Sequence, residues 1–211
     1  MKKIVKFLTL SCCIAVLGIA TSCSKEDDGQ DNGTNNSIIS EFSYPGNFGE
    51  LYSYANKSMG CDSATIVTYF LEQGFTFRVD DKEGDLLFEK NLESGERIRI
   101  SLSRLNNVVE SAVVRSNISF SQDGSNYILE EYKDDVITHL KDIKSFAQKH
   151  NLSNNKGFHL EGNEYGSIEE MIDAIPETQI RESGVSYSDA KLYASLVFLY
   201  KGMGNEIELS R

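Results

Sequence analysis

Arg97 and Arg99 stand two positions apart in "RIRISLSR", Arg97 to Arg104, where charged or small polar residues alternate with Ile98, Ile100 and Leu102. In an extended strand alternate side chains share a face. The two guanidiniums therefore point the same way, and two such forks side by side can grip an anionic ligand. The competing use is structural. In an acidic chain such arginines pair with acids on the neighbouring strand, and Glu89 is the nearest candidate. Other chemistry-bearing residues are sparse. His139, His150 and His159 form no H-x-x-x-H pair, and Cys12, Cys13, Cys23 and Cys61 form no C-x-x-C. No metal site and no cofactor is therefore expected. The motifs G-x-S-x-G and H-E-x-x-H do not occur either. "DDKEGD", Asp80 to Asp85, lacks the alternating acids and closing glutamate of a calcium loop and reads as a turn.

The elements that carry these residues follow from periodicity. Phe42, Tyr44, Phe48, Leu51, Tyr52 and Tyr54 form an aromatic opening segment, with a short helix in "GELYSYANKSM". Asp62 is an N-cap for a helix over 63–73, with Ile66, Val67, Phe70 and Leu71 on one face and Gly74 just past its end. Strands follow at "FTFRV", "DLLFEKNL", "RIRISLSR" and "NNVVESAVVRSNISF", the last with room for a bulge. Ile98, Ile100 and Leu102 face inward, and Arg97, Arg99 and Ser101 outward. This is an antiparallel meander with one wet face. A long amphipathic helix spans roughly 128–150, its stripe formed by Leu129, Tyr132, Val136, Leu140, Ile143 and Ala147, with His139 at the edge. Ser167 and Glu170 make a capping box for a short helix stopped by Pro176. "ETQIRESGVSY", "AKLYASLVFLYK" and "NEIELS" read as strands turning at Ser188-Asp189 and Gly202–Gly204. "KLYASLVFLYKG" also fits a buried helix. The fold class is α+β: antiparallel meander sheet packed by helices, with two tandem helix-plus-meander units (αβββ-like) over 39–125 and 126–211 as its finer form.

The N-terminus reads as an address. Lys2, Lys3 and Lys6 precede an apolar run from Phe7 to Ala20 that ends in small residues, the pattern of a secretory signal peptide over 1–22. The run is shorter than the ~20 apolar residues that a spanning helix needs. Ala20-Thr21-Ser22-Cys23 resembles a bacterial lipoprotein lipobox, with alanine in place of the preferred leucine. The resemblance implies cleavage before Cys23, acylation there, and a membrane partner through the lipid. Ser24-Lys25-Glu26-Asp27-Asp28 resembles the acidic export signal of Bacteroidetes surface lipoproteins, which implies the outer membrane facing the exterior; the periplasmic face is the alternative. Residues 23–38 are polar and Gly/Asn/Asp-rich, an expected tether, and the globular region is expected over 39–211. Asp62-Ser63-Ala64 resembles the short O-glycosylation motif of Bacteroidetes envelope proteins, with Ser63 as acceptor.

Without residues 1–22, 189 residues remain, enough for one good core. They carry 18 basic and 32 acidic side chains, a net −14. Such a chain repels phosphate backbones, and no basic stripe is present, so nucleic acid is not an expected partner. Cys61 is then the one thiol left beside Cys23, so no intramolecular disulfide is expected. Three functions stay open. The first is a non-catalytic surface lipoprotein that binds a glycan or a protein. The second is a periplasm-facing assembly or inhibitor-like protein, since the tandem pattern resembles the modules of β-lactamase-inhibitor-like and related envelope lipoproteins. The third is an envelope hydrolase, a glycosidase or peptidase, for which paired carboxylates would suffice. With no catalytic constellation, the chain is not expected to be an enzyme.

Overall fold

The computed structural model describes residues 42–121 and 124–211. The signal peptide, Cys23, the acidic export signal and the tether over 23–38 lie outside the described residues. Those described form four helices and nine strands. Helices α1 (Phe48–Ser58) and α2 (Ser63–Glu72) precede a meander of β1 (Thr76–Val79), β2 (Leu86–Asn91), β3 (Arg97–Leu105) and β4 (Val108–Ser119). Helix α3 (Glu130–Lys149), a hairpin of β5 (Phe158–Leu160) and β6 (Asn163–Tyr165), and α4 (Ile168–Ala174) follow. The chain ends in β7 (Glu182–Ser188), β8 (Leu192–Leu199) and β9 (Gly202–Ser210). All nine strands join one antiparallel sheet in the order β1-β2-β3-β4-β9-β8-β7-β5-β6. The α+β class is therefore observed.

Register sorts the side chains into two faces. The row Phe88, Ile100, Val114, Ile207, Ala194 and Tyr187 crosses β2, β3, β4, β9, β8 and β7, and every member is buried. The helices cover this side. Phe70 of α2 packs on Phe88 with ring centroids 4.8 Å apart, and Phe48 of α1 meets Phe146 of α3 at 5.8 Å. Lys144 of α3 pairs with Glu169 of α4. Each large apolar side chain buried here contributes on the order of 1.5–3 kcal/mol. Residues one position away in each strand face outward, where none of the described helices packs.

Local signals explain most element ends. Asp62 accepts from the N–H groups of Ala64 and Thr65 and caps α2; Gly74, φ 81°, ends it. Ser167 caps α4 through the Glu170 N–H, while the Glu170 carboxylate accepts from Gly166 N–H at 2.8 Å. Asp80 accepts from the N–H groups of Lys82 and Glu83, so the acidic stretch after β1 is a turn.

The structure corrects several boundaries. Asn106 and Asn107, expected in a strand, have φ 52° and 65° and form the two-residue turn between β3 and β4. The irregularity lies where Ser103 opposes Ser111 but Arg104 opposes Val109, leaving Glu110 as the extra residue. The last hairpin turns at Tyr200-Lys201, and Gly202 already pairs with Leu199. "KLYASLVFLYKG" is a strand through Leu192–Leu199, settled by pairing on both sides. Residues 177–181 precede β7 rather than join it. The β5–β6 hairpin was not expected; it turns at Glu161-Gly162, φ 49° and 81°. His139, expected at the edge of the α3 stripe, is 4% exposed. Phe75, Phe77 and Val79 alternate along the "FTFRV" strand, but only Phe75 is buried; Phe77 and Val79 are 37% and 44% exposed because β1 is an edge strand.

Candidate functional site

The outward face of the sheet gathers the chemistry-bearing residues at two places. At one end, the row Glu89, Arg99, Arg115, Glu206, Ser195 and Ser186 crosses β2, β3, β4, β9, β8 and β7. Arg97 lies two residues before Arg99 on β3, and Arg78 on β1 shares the face. Glu89 serves both expected arginines: its carboxylate lies 3.0 Å from Arg99 Nε and 3.7 Å from Arg97 Nε. The cross-strand pairing is thus observed. Beyond it, Arg115 stands directly opposite Arg99 and pairs with Glu206. Arg78, Arg97, Arg99 and Arg115 line a depression of about 540 Å³, with Glu89 the one carboxylate in its wall and Leu87, Ser101 and Val113 in its floor.

Arg115 and Arg78 were not singled out in the sequence. Applying the outward parity of β3 to "AVVRSN" would have marked Arg115. No local signal says that β1 and β4 both lie within reach of β3, because that adjacency is set by the turns and the register.

The other end holds a larger trough, about 910 Å³, over β8, β7 and the β5–β6 hairpin. Val197 and Leu199 project from β8 with 48% and 38% exposure, and Tyr127 and Tyr200 flank them. Gly184 opposes Val197 and adds no side chain, so the floor is open there; a Cβ would stand 2.8 Å from the Leu196 carbonyl. Arg181 lies 5.0 Å over the Tyr127 ring and donates to its hydroxyl at 3.0 Å. The Glu161 carboxylate is occupied by the backbone N–H groups of Arg181 and Glu182. It holds the rim in shape rather than facing a reacting group.

Under the sheet centre lies a buried polar seam. Asn205 of β9 donates to the Gly46 carbonyl at 2.9 Å and to the Tyr44 hydroxyl at 3.3 Å, and its Oδ1 meets His139 Nδ1 at 3.0 Å. Tyr44 donates to Asp142 Oδ2 at 2.6 Å, which also accepts from Phe48 N–H at 3.0 Å. Ser116 of β4 donates to the same Gly46 carbonyl at 3.0 Å. Burial pushes the Asp142 carboxyl up and the His139 imidazole down, in each case disfavouring charge. Burial, with Asp142 beside it, also holds the Tyr44 phenol protonated far above its ordinary range. The seam ties 44–48, α3, β4 and β9 together.

The remaining expected residues do not join either place. Ser63 is the first residue of α2; its hydroxyl donates to the Asn107 carbonyl at 3.0 Å and lies 3.4 Å from Arg104 Nη1. The Cys61 thiol is 1% exposed. Among the described residues no three His, Cys, Asp or Glu side chains stand together as metal ligands, and nothing positive shows catalytic activity. No described helix is long and apolar enough to cross a membrane. Comparison of the chain with protein-family models, with curated proteins and with solved structures gives no match.

Proposed function

We propose that the chain is a surface-anchored lipoprotein whose folded region is a non-catalytic binding module. The observation that carries this reading is the outer face of a nine-stranded sheet, on which none of the described helices packs. One end of that face holds four arginines and the other an aromatic and aliphatic trough. Such a face costs solvation of exposed Val197 and Leu199 and offers a broad contact area in return. The anchor at Cys23 and the acidic segment Ser24 to Asp28 supply the address by resemblance to the lipobox and to the Bacteroidetes export signal. A Val197→Cys variant tests face and address together. A membrane-impermeant maleimide should label it on intact cells, while the parent, with Cys61 buried, stays unlabelled. Labelling only after lysis refutes outward display. Cys23→Ser should release the protein or leave an uncleaved precursor; a variant that still fractionates with membranes and carries fatty acid refutes the anchor.

A second reading, a periplasm-facing assembly or inhibitor-like protein, draws on the tandem arrangement. Helices then β1–β4 form one unit, and helices then β7–β9 another. The last strands of the two, β4 and β9, meet at the sheet centre. Among the described residues the β5–β6 hairpin has no counterpart in the first unit. The same labelling separates this reading from the first.

A further inference from the structure

At the arginine end of the outward face two guanidiniums stand directly against each other. Arg99 and Arg115 are direct cross-strand partners. Opposed residues of an antiparallel pair have Cα atoms about 4.5–5.5 Å apart, and like charges placed so are destabilising. On their other sides Glu89 stands opposite Arg99 and is shared with Arg97, and Glu206 stands opposite Arg115. Among the described residues no carboxylate pairs with Arg78 within 4.0 Å. Four guanidiniums thus face one depression with a single carboxylate in its wall, in a chain of net charge −11. Glu208, opposite Val113, and Glu206 bound the side toward β9 and confine the positive field to β1–β4. Arg97, Arg99 and Arg115 are half-exposed, so their ion pairs are weak and their outer amino groups can reach an incoming group.

We infer that this depression binds an acidic oligosaccharide, a ligand that presents two or more carboxylate or sulfate groups. This rests on the reading of the outer face as a recognition surface. Guanidinium forks match planar oxyanions with paired hydrogen bonds, and one anion between Arg99 and Arg115 relieves their repulsion. More than one group is needed to use Arg97 and Arg78 as well. A volume near 540 Å³ suits a ligand of a few rings. The floor of Leu87, Ser101 and Val113 holds no aromatic anchor pocket of the kind that dominates protein interfaces.

The test is calorimetric titration of the purified full chain with four probes at low salt. These are an oligogalacturonate, the same oligomer reduced to its neutral form, inorganic sulfate, and polyglutamate of matched charge. The oligogalacturonate should bind, and binding should weaken steeply toward about 0.5 M salt, where screening acts over only a few ångströms. The double variant Arg99→Gln/Arg115→Gln should lose at least about tenfold in affinity. Its melting temperature should move by no more than about 2–4 °C, because the like-charge opposition removed offsets the two exposed ion pairs lost with it. That combination is one that a merely structural role for the arginines would not give. No binding of the oligomer, or equal binding by the double variant, overturns the inference. Equal affinity for the neutral oligomer or for sulfate overturns the requirement for several charges. Equal affinity for polyglutamate overturns the glycan and assigns an acidic peptide. Maleimide labelling of Val197→Cys on intact cells is independent of these titrations. Loss of the glycan with labelling intact therefore leaves the surface-display reading standing.

Discussion

Asn205→Ala removes the node of the buried seam. Asn205 is 1% exposed, and its amide makes three hydrogen bonds. Truncation does not orphan every partner. The Gly46 carbonyl keeps the Ser116 hydroxyl, and the Tyr44 hydroxyl keeps Asp142. His139 Nδ1 loses the partner it has, in a site almost closed to water. An orphaned buried polar group costs about 1–3 kcal/mol and each of the two lost bonds about 0.5–1.5 kcal/mol, so the total is about 2–4 kcal/mol once partial relaxation is allowed. At about 2–4 °C per kcal/mol for a chain of this size, melting should fall by about 5–15 °C. Thermal unfolding followed by circular dichroism measures it. Ser116→Ala is the matched control: it removes one bond and leaves Gly46 with Asn205, so its effect should be well under half as large. A fall below about 1 °C for Asn205→Ala refutes the reasoning, and so does parity with Ser116→Ala.

Three other perturbations follow from the same structure. Burial lowers the His139 pKa below its unfolded value near 6.5, so stability is full above that value and is lost as pH falls from it toward the folded pKa. Asp142 has the opposite sign: its raised pKa favours the folded state at low pH, and that benefit fades as pH rises through the folded value. Between pH 7.5 and 5.5 the histidine's own part is a loss of up to about 1.4 kcal/mol as pH falls, which His139→Gln should remove, read from melting temperatures against pH in variant and parent; half-buried His150 contributes with the same sign. Gly202→Ala should cost more than about 2 kcal/mol, because its φ of 152° and a Cβ 2.1 Å from the Ile118 carbonyl force β9 away from β4; an unchanged denaturation midpoint would contradict this. Asn47→Ala should cost about 1–2 kcal/mol, since Asn47 caps α1 through the Glu50 N–H at 3.0 Å and also holds the Tyr44 carbonyl at 2.7 Å; denaturant titration checks it.

Sequence by itself determined what is encoded within one element. The Asp62 and Ser167 caps, the α3 stripe from Val136 to Ala147 and the parity of Arg97 to Leu102 are all local. Propensity, capping and periodicity each act over a few residues. Even the pairing of Glu89 with Arg97 and Arg99 was legible, because a short turn makes β2 and β3 neighbours. Only the tertiary structure decided what depends on distant neighbours. Periodicity says which face a residue takes but not which strand lies beside it, so the central β4–β9 pairing could not be read. Neither could the opposition of Arg99 and Arg115, since register is fixed by the whole sheet. His139 looked like an edge residue because a polar side chain off an apolar stripe normally meets water. It is buried because Asn205, sixty-six positions away, supplies the hydrogen bond that makes its burial affordable. The trough around Val197 and Leu199 was hidden for the same kind of reason. An apolar run cannot announce that one of its faces will be left without a helix to cover it.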